Sequence, residues 1–206
     1  MRNEVRKILR AGMVLALLAP AAGHAQFYLG GGGGQSKFHD LDEVEAACVS
    51  VGATCSVDDT DTGFKVFAGY RFGNFLALEG GYVDLGESAA DAVVPVTATA
   101  ALTAKGGYVS ILPQIPVGNV GTIFGRIGLS AVDAELTAAG GGESFSDSSG
   151  AAGLVFGFGA EVHLTEQLSI RGEWERHSFD EALDIAGIEV EAPDIDLLSA
   201  GLVLRF

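Results

Sequence analysis

Leu168-Ser169-Ile170-Arg171-Gly172-Glu173-Trp174-Glu175 is the stretch on which the fold turns. In an extended chain, Leu168, Ile170, Gly172 and Trp174 fall on one side and Ser169, Arg171, Glu173 and Glu175 on the other. Alternation with a period of two is the mark of a strand, because successive side chains point to opposite faces of a sheet.

The same alternation recurs on both sides of this stretch. Downstream, residues 195–206 place Leu198, Ala200, Leu202, Leu204 and Phe206 on one face and Ser199, Gly201 and Arg205 on the other. Upstream, a tight turn at Thr165-Glu166-Gln167 leads back to a segment at 150–164, and before it lies one at 120–136. Earlier segments at 97–115, 75–85 and 63–72 alternate in the same way. The first, 27–38, carries five consecutive glycines, Gly30 to Gly34. Glycine is poor strand material by propensity, but here small residues would let neighbouring side chains fill a narrow interior. Eight strand segments result. Their connections alternate between short (73–74, 117–119, 165–167) and long (roughly 39–61, 86–96, 137–149, 180–194), and the long ones hold much of the acid, including Asp58, Asp59 and Asp61. A soluble β-sandwich or lipocalin-like barrel alternates too, but has no reason to gather its long loops at one end. An outer-membrane barrel has one: tight periplasmic turns and longer extracellular loops.

The bulk properties agree. The chain has 206 residues, 30 of them glycine, and a mean hydropathy of +0.33. Beyond the N-terminus no apolar run reaches the ~20 residues a spanning helix needs. In hydrocarbon every backbone polar group must be paired internally, and the solution other than a helix is a closed barrel. At the N-terminus, Arg2, Arg6, Lys7 and Arg10 precede an apolar run from Ala11 to Ala22, followed by Gly23-His24-Ala25. That order of basic, apolar and small residues predicts a signal peptide over 1–25, leaving one barrel domain over 26–206. Removing 1–25 takes four of the 12 basic and one of the 27 acidic residues, so 8 basic groups face 26 acidic ones and the formal charge becomes −18. Nucleic acid is not a partner expected for such a chain.

The residues also resemble a known family, the transmembrane domain of outer membrane protein A (OmpA), along nearly the whole length after the leader. The resemblance is carried by Phe27-Tyr28 through Phe38-His39-Asp40, by Leu76-Ala77-Leu78-Glu79-Gly80-Gly81-Tyr82 and by Leu102-Thr103-Ala104-Lys105-Gly106-Gly107-Tyr108. Arg126-Ile127-Gly128, Arg171-Gly172-Glu173-Trp174 and Leu204-Arg205-Phe206 complete it in matching order and spacing. It implies an eight-stranded antiparallel up-and-down barrel in the bacterial outer membrane with a structural or surface-interaction role, or a narrow porin-like channel. The family's namesake continues into a peptidoglycan-binding domain, which is not expected here because the sequence stops at Phe206.

By parity, Lys65, Arg71, Glu79, Lys105, Arg126, Glu161, Arg171 and Glu173 are predicted to point into the lumen. Charge is tolerated there only when paired, so Glu79 and Glu161 are expected to accept from Lys105 and Arg171. The resemblance implies that these four form a charge gate; the alternative is a packed polar plug, since eight strands leave just enough room for side chains. Leu202, Leu204 and Phe206 are the pattern that the barrel-assembly machinery reads in proteins this chain resembles. Outer-membrane lipids and lipopolysaccharide are the expected surroundings, and a monomer the expected state. Cys48 and Cys55 lie in a loop-like stretch and would meet an oxidising compartment, which favours a local disulfide. The acidic run Asp58-Asp59-Thr60-Asp61 lacks the spacing of a calcium loop, the stretch from Gly31 to Lys37 fails the G-x-x-x-x-G-K-[ST] pattern of a phosphate loop and lacks a following helix, and Gly157-Phe158-Gly159 fails the dinucleotide-binding fingerprint. No cofactor, metal or catalytic residue is expected. The one enzyme class weighed, a lipid hydrolase using His163 or His177, would need serine, histidine and acid together on the lipid face, and His177 falls on the inward side.

Overall fold

The computed structural model describes residues 25–39, 54–93, 97–140, 143–179, 182–185, 188–191 and 193–206. The expected leader up to residue 24 and Cys48 lie outside them. The described strands are β1 (Ala25–Phe38), β2 (Thr54–Asp58), β3 (Thr60–Phe72), β4 (Leu76–Val93), β5 (Thr97–Val117), β6 (Gly121–Gly140), β7 (Glu143–His163), β8 (Leu168–Phe179), β9 (Ala182–Ile185), β10 (Ile188–Glu191) and β11 (Ile195–Arg205).

Eight of them close a ring. β1, β3, β4, β5, β6, β7, β8 and β11 pair antiparallel in that order, and β11 returns to β1 with Tyr28 opposite Arg205 and Phe38 opposite Ile195. Closure leaves no open edge, which is what lets a sheet lie in hydrocarbon with its backbone groups satisfied. β2 prolongs the pairing of β4, and β9 with β10 makes a separate small hairpin.

Short turns connect β3 to β4, β5 to β6 and β7 to β8, all at the end of the ring that also holds Ala25 and Phe206. Gly73 (φ 74°) and Gly118 (φ 56°) take the left-handed conformation that two of these turns require and that side chains disfavour. Strands β4 to β7 run for 18 to 21 residues, well beyond the ~9–11 that cross a bilayer. Much of the sequence expected to be long loop, at 86–96 and 137–149, is therefore strand. The β4–β5 and β6–β7 hairpins carry the sheet past the membrane, because their pairing holds out to Val93 with Thr97 and to Gly140 with Glu143.

The barrel is inside-out relative to a soluble protein. Leu29, Phe64, Val66, Ile111, Ile127, Leu129, Phe158, Leu198 and Leu202 are exposed on the outer surface, a band that suits lipid. The glycine-rich β1 fits because its even-numbered residues face a crowded lumen. A Cβ on Gly30 would run into the ring of Phe67, and one on Gly69 of β3 would run into the ring of Tyr28. The aromatic side chains thus occupy space that the glycines leave open.

Candidate functional site

The lumen toward the short-turn end is filled by charge. β3 supplies Lys65 and Arg71, β4 Glu79, β6 Arg126, β7 Glu161, β8 Arg171, Glu173 and Glu175, and β11 Arg205. All are buried or nearly so, and Glu79 and Glu175 are fully enclosed. Two carboxylates organise the cluster. Glu79 accepts from Arg126 Nη2 (2.5 Å) and Tyr108 Oη (3.1 Å) through Oε1, and from Arg171 Nη1 (2.6 Å) and Tyr28 Oη (3.0 Å) through Oε2. Glu161 accepts from Arg171 Nη2 (2.7 Å) through Oε1, and from Arg71 Nη2 (2.5 Å) and Arg205 Nη2 (2.7 Å) through Oε2. Arg171 bridges the two, and its guanidinium lies 4.5 Å from the ring centroid of Phe67 and 4.8 Å from that of Phe124. Deeper in, Lys65 Nζ donates to Glu173 and Glu175, each at 2.7 Å, and Arg126 Nε reaches Glu173 at 2.5 Å. Charges taken out of water cost several kcal/mol each, so the cluster persists because its carboxylates and cations neutralise one another at hydrogen-bond distance.

Lys105 is not among them, which corrects the sequence expectation. On β5 the inward positions are Ala104, Tyr108, Ser110, Leu112 and Gln114, so Lys105 faces outward. It stands in register between Asp84 of β4 and Asp133 of β6, far from Glu79, which is opposite Ser110. The expectation failed because Gly106-Gly107 blurs the alternation and because Ala104 and Tyr108, on the opposite parity to Lys105, are the residues that fill the lumen. Arg126 takes the place assigned to Lys105. Glu175, Arg205, Tyr28 and Tyr108 were not singled out; Glu175 and Arg205 share the charged parity of β8 and β11, which is the signal that marks them.

Toward the long-loop end the filling changes. Phe38, Val83, Leu85, Val132, Ala151, Phe179, Ile195 and Leu197 are buried against one another near the loop ends of their strands. At the boundary, His177 Nδ1 lies 2.9 Å from Ser130 Oγ, and its Nε2 lies 3.5 Å from Glu175. Serine, histidine and carboxylate meet here, but each is at most 2 % exposed, and none is on the lipid face where a lipid hydrolase would need them. His163 sits apart, at the short-turn end of β7.

On the outside, the apolar band is bounded at the loop end by ion pairs. Arg176 holds Asp196 at 2.5 and 2.8 Å, His39 lies 3.1 Å from the same carboxylate, and Lys37 is 3.5 Å from Asp59. The Thr60 hydroxyl donating to Asp59, helped by Lys37, keeps that carboxyl below the usual aspartate range. At the turn end, Tyr70 packs edge-on to Phe27 and to Phe72 (centroids 4.9 and 4.8 Å), an aromatic grouping of the kind found at membrane interfaces. Leu202, Leu204 and Phe206 are exposed on the outer face of β11.

Solved structures of similar form are known. A major outer membrane protein from Thermus thermophilus is 12 % identical, with a TM-score of 0.57 over 89 % of this chain and 100 % of that one. Ail, the attachment invasion locus protein of Yersinia pestis, solved in complex with the heparin analogue sucrose octasulfate, is 15 % identical, with a TM-score of 0.54 over the same shares. OprG from Pseudomonas aeruginosa is 14 % identical, with a TM-score of 0.51 over 89 % of this chain and 98 % of that one. At these identities the likeness concerns the fold. No curated protein matches in sequence. A family model, the outer membrane protein beta-barrel domain, matches residues 8–206. A ring of eight antiparallel strands, an apolar outer band and a charged interior are joined by that match over nearly the whole chain: the protein belongs to the outer membrane protein β-barrel domain family and resides in the bacterial outer membrane.

Proposed function

We propose that the protein works as a closed, non-catalytic barrel that strengthens the outer membrane and presents its long-loop end for contact at the cell surface. The observation that carries this reading is the double filling of the lumen. Even if Arg171 were to exchange between Glu79 and Glu161, as a charge gate requires, the apolar layer from Phe38 to Leu197 would still lie across the path. The hairpins that run past the membrane give the loop end a rigid reach, and Ail, a barrel of similar form, was crystallised with a heparin analogue. We further propose export through the leader at 1–25, insertion by the barrel-assembly machinery through Leu202, Leu204 and Phe206, a Cys48–Cys55 disulfide, lipopolysaccharide around the outer face, and a monomeric state.

The test is conductance of the refolded barrel in a planar bilayer. Wild type is expected to be silent, and Glu79→Ala to remain silent because the apolar layer is intact. Discrete openings in the wild type that change in Glu79→Ala would overturn the closed reading in favour of a gated pore.

A further inference from the structure

The charge cluster does not end at Glu161. Beyond it, at the mouth framed by the short turns, a cavity of about 570 Å³ opens between strand ends. Arg71, Arg205, His163, Gln114 and Thr122 line it, with Glu166 on one turn. Three features of this mouth point the same way.

The first is charge. Arg71 and Arg205 both converge on a single oxygen of Glu161, whose other oxygen is held by Arg171. One carboxylate therefore serves three guanidinium groups, and Arg171 is shared with Glu79. Among the buried lumen residues, five cations (Lys65, Arg71, Arg126, Arg171, Arg205) face four carboxylates (Glu79, Glu161, Glu173, Glu175), and the acid that lines the mouth besides these, Glu166, sits on an exposed turn. The second is unused hydrogen-bonding capacity. Arg71 Nε, Arg205 Nε, Gln114 Nε2 and His163 Nε2 are buried without a partner, and the residues Arg71, Arg205 and Gln114 are 7, 9 and 4 % exposed. Orphaned buried donors of this kind are costly, and the three on Arg71, Arg205 and Gln114, which line one cavity, lack an acceptor. The third is shape. Two planar guanidinium forks beside an amide match a tetrahedral oxyanion better than a point charge does.

We propose that this mouth is a binding site for a phosphate-class oxyanion, with Arg71, Arg205 and Gln114 as its donors. Free phosphate and the headgroup of an anionic phospholipid offer the same chemistry, and the mouth opens toward the periplasm, where both can reach it.

The refolded barrel in octyl glucoside, a detergent without phosphate, is titrated with inorganic phosphate and, separately, with micelles doped with phosphatidylglycerol, and binding is followed by ³¹P NMR. Arg71→Gln, Arg205→Gln and Lys105→Gln are compared, each checked for folding by its heat-modifiable gel mobility. The two mouth variants should bind about tenfold more weakly than wild type, the loss expected for one charge-assisted hydrogen bond. Lys105→Gln removes the same charge from the outer surface and should bind as wild type does. Binding of inorganic phosphate identifies a free-anion site, and binding of the doped micelles alone identifies a headgroup site; either supports the proposal. No binding in either arm, or equal loss in all three variants, would overturn it. Should one arginine variant not fold, the other and Gln114→Leu carry the same test.

Discussion

The two ends of the lumen solve one packing problem with opposite chemistry. Toward the short turns, four carboxylates and five cations are packed among Tyr28, Tyr108, Phe67 and Phe124; toward the loops, the cluster of buried aliphatic and aromatic side chains holds no charge among the described residues. The apolar layer needs no partners and gains by being dry. The charged cluster holds only as a set, since each member left alone would be an uncompensated charge in a low-dielectric interior. The lesson is that the turn end is sensitive to deletion of single partners, whereas the loop end is sensitive to volume.

Substitutions at the two ends test this directly, and the largest effect is expected at the turn end. Glu79→Ala leaves Arg126 and Arg171 without their shared acceptor and should lower stability by about 3–5 kcal/mol in urea unfolding from lipid vesicles. A loss under about 1 kcal/mol would mean that water enters and solvates the cluster, erasing the contrast between the ends. Phe38→Ala opens a hole in the apolar layer and should cost about 3 kcal/mol in the same assay. Were it near neutral, the layer would be loosely packed and the closed reading weakened. The smallest effect is expected at Lys105, outside both regions: Lys105→Gln should leave the unfolding midpoint where it is in wild type. A large shift there would signal that the outward position between Asp84 and Asp133 carries weight in the fold.

Parity carried the reading of the sequence a long way. On β8 and β11 the alternation is clean, so Arg171, Glu173 and the outward Leu202, Leu204 and Phe206 could be placed from spacing alone. On β5 the alternation is blurred by Gly106-Gly107, and Lys105, which spacing alone assigns to the lumen, lies on the outer face. A one-residue error of parity turns a whole face, and a strand whose two sides both carry small residues gives no means of detecting it. The long strands β4 to β7 were also hidden, because Ala-, Ser- and Gly-rich sequence past the membrane reads as loop until its cross-strand partner is known.

By itself, then, the sequence determined that strands alternate, that they number eight around the ring, that their short connections fall at one end, and which charged residues of β3, β6, β7 and β8 share the inner face. These follow from local periodicity and turn chemistry, which a chain displays without being folded. Only the tertiary structure decided who pairs with whom: that Glu79 belongs to Arg126 and Arg171, that Glu161 gathers Arg71 and Arg205 from the ends of β3 and β11, the strands on either side of β1, and that an apolar layer caps the cluster. Those contacts depend on register and on strand stagger around the closed ring. Both are set by the whole barrel at once, and no single strand carries them.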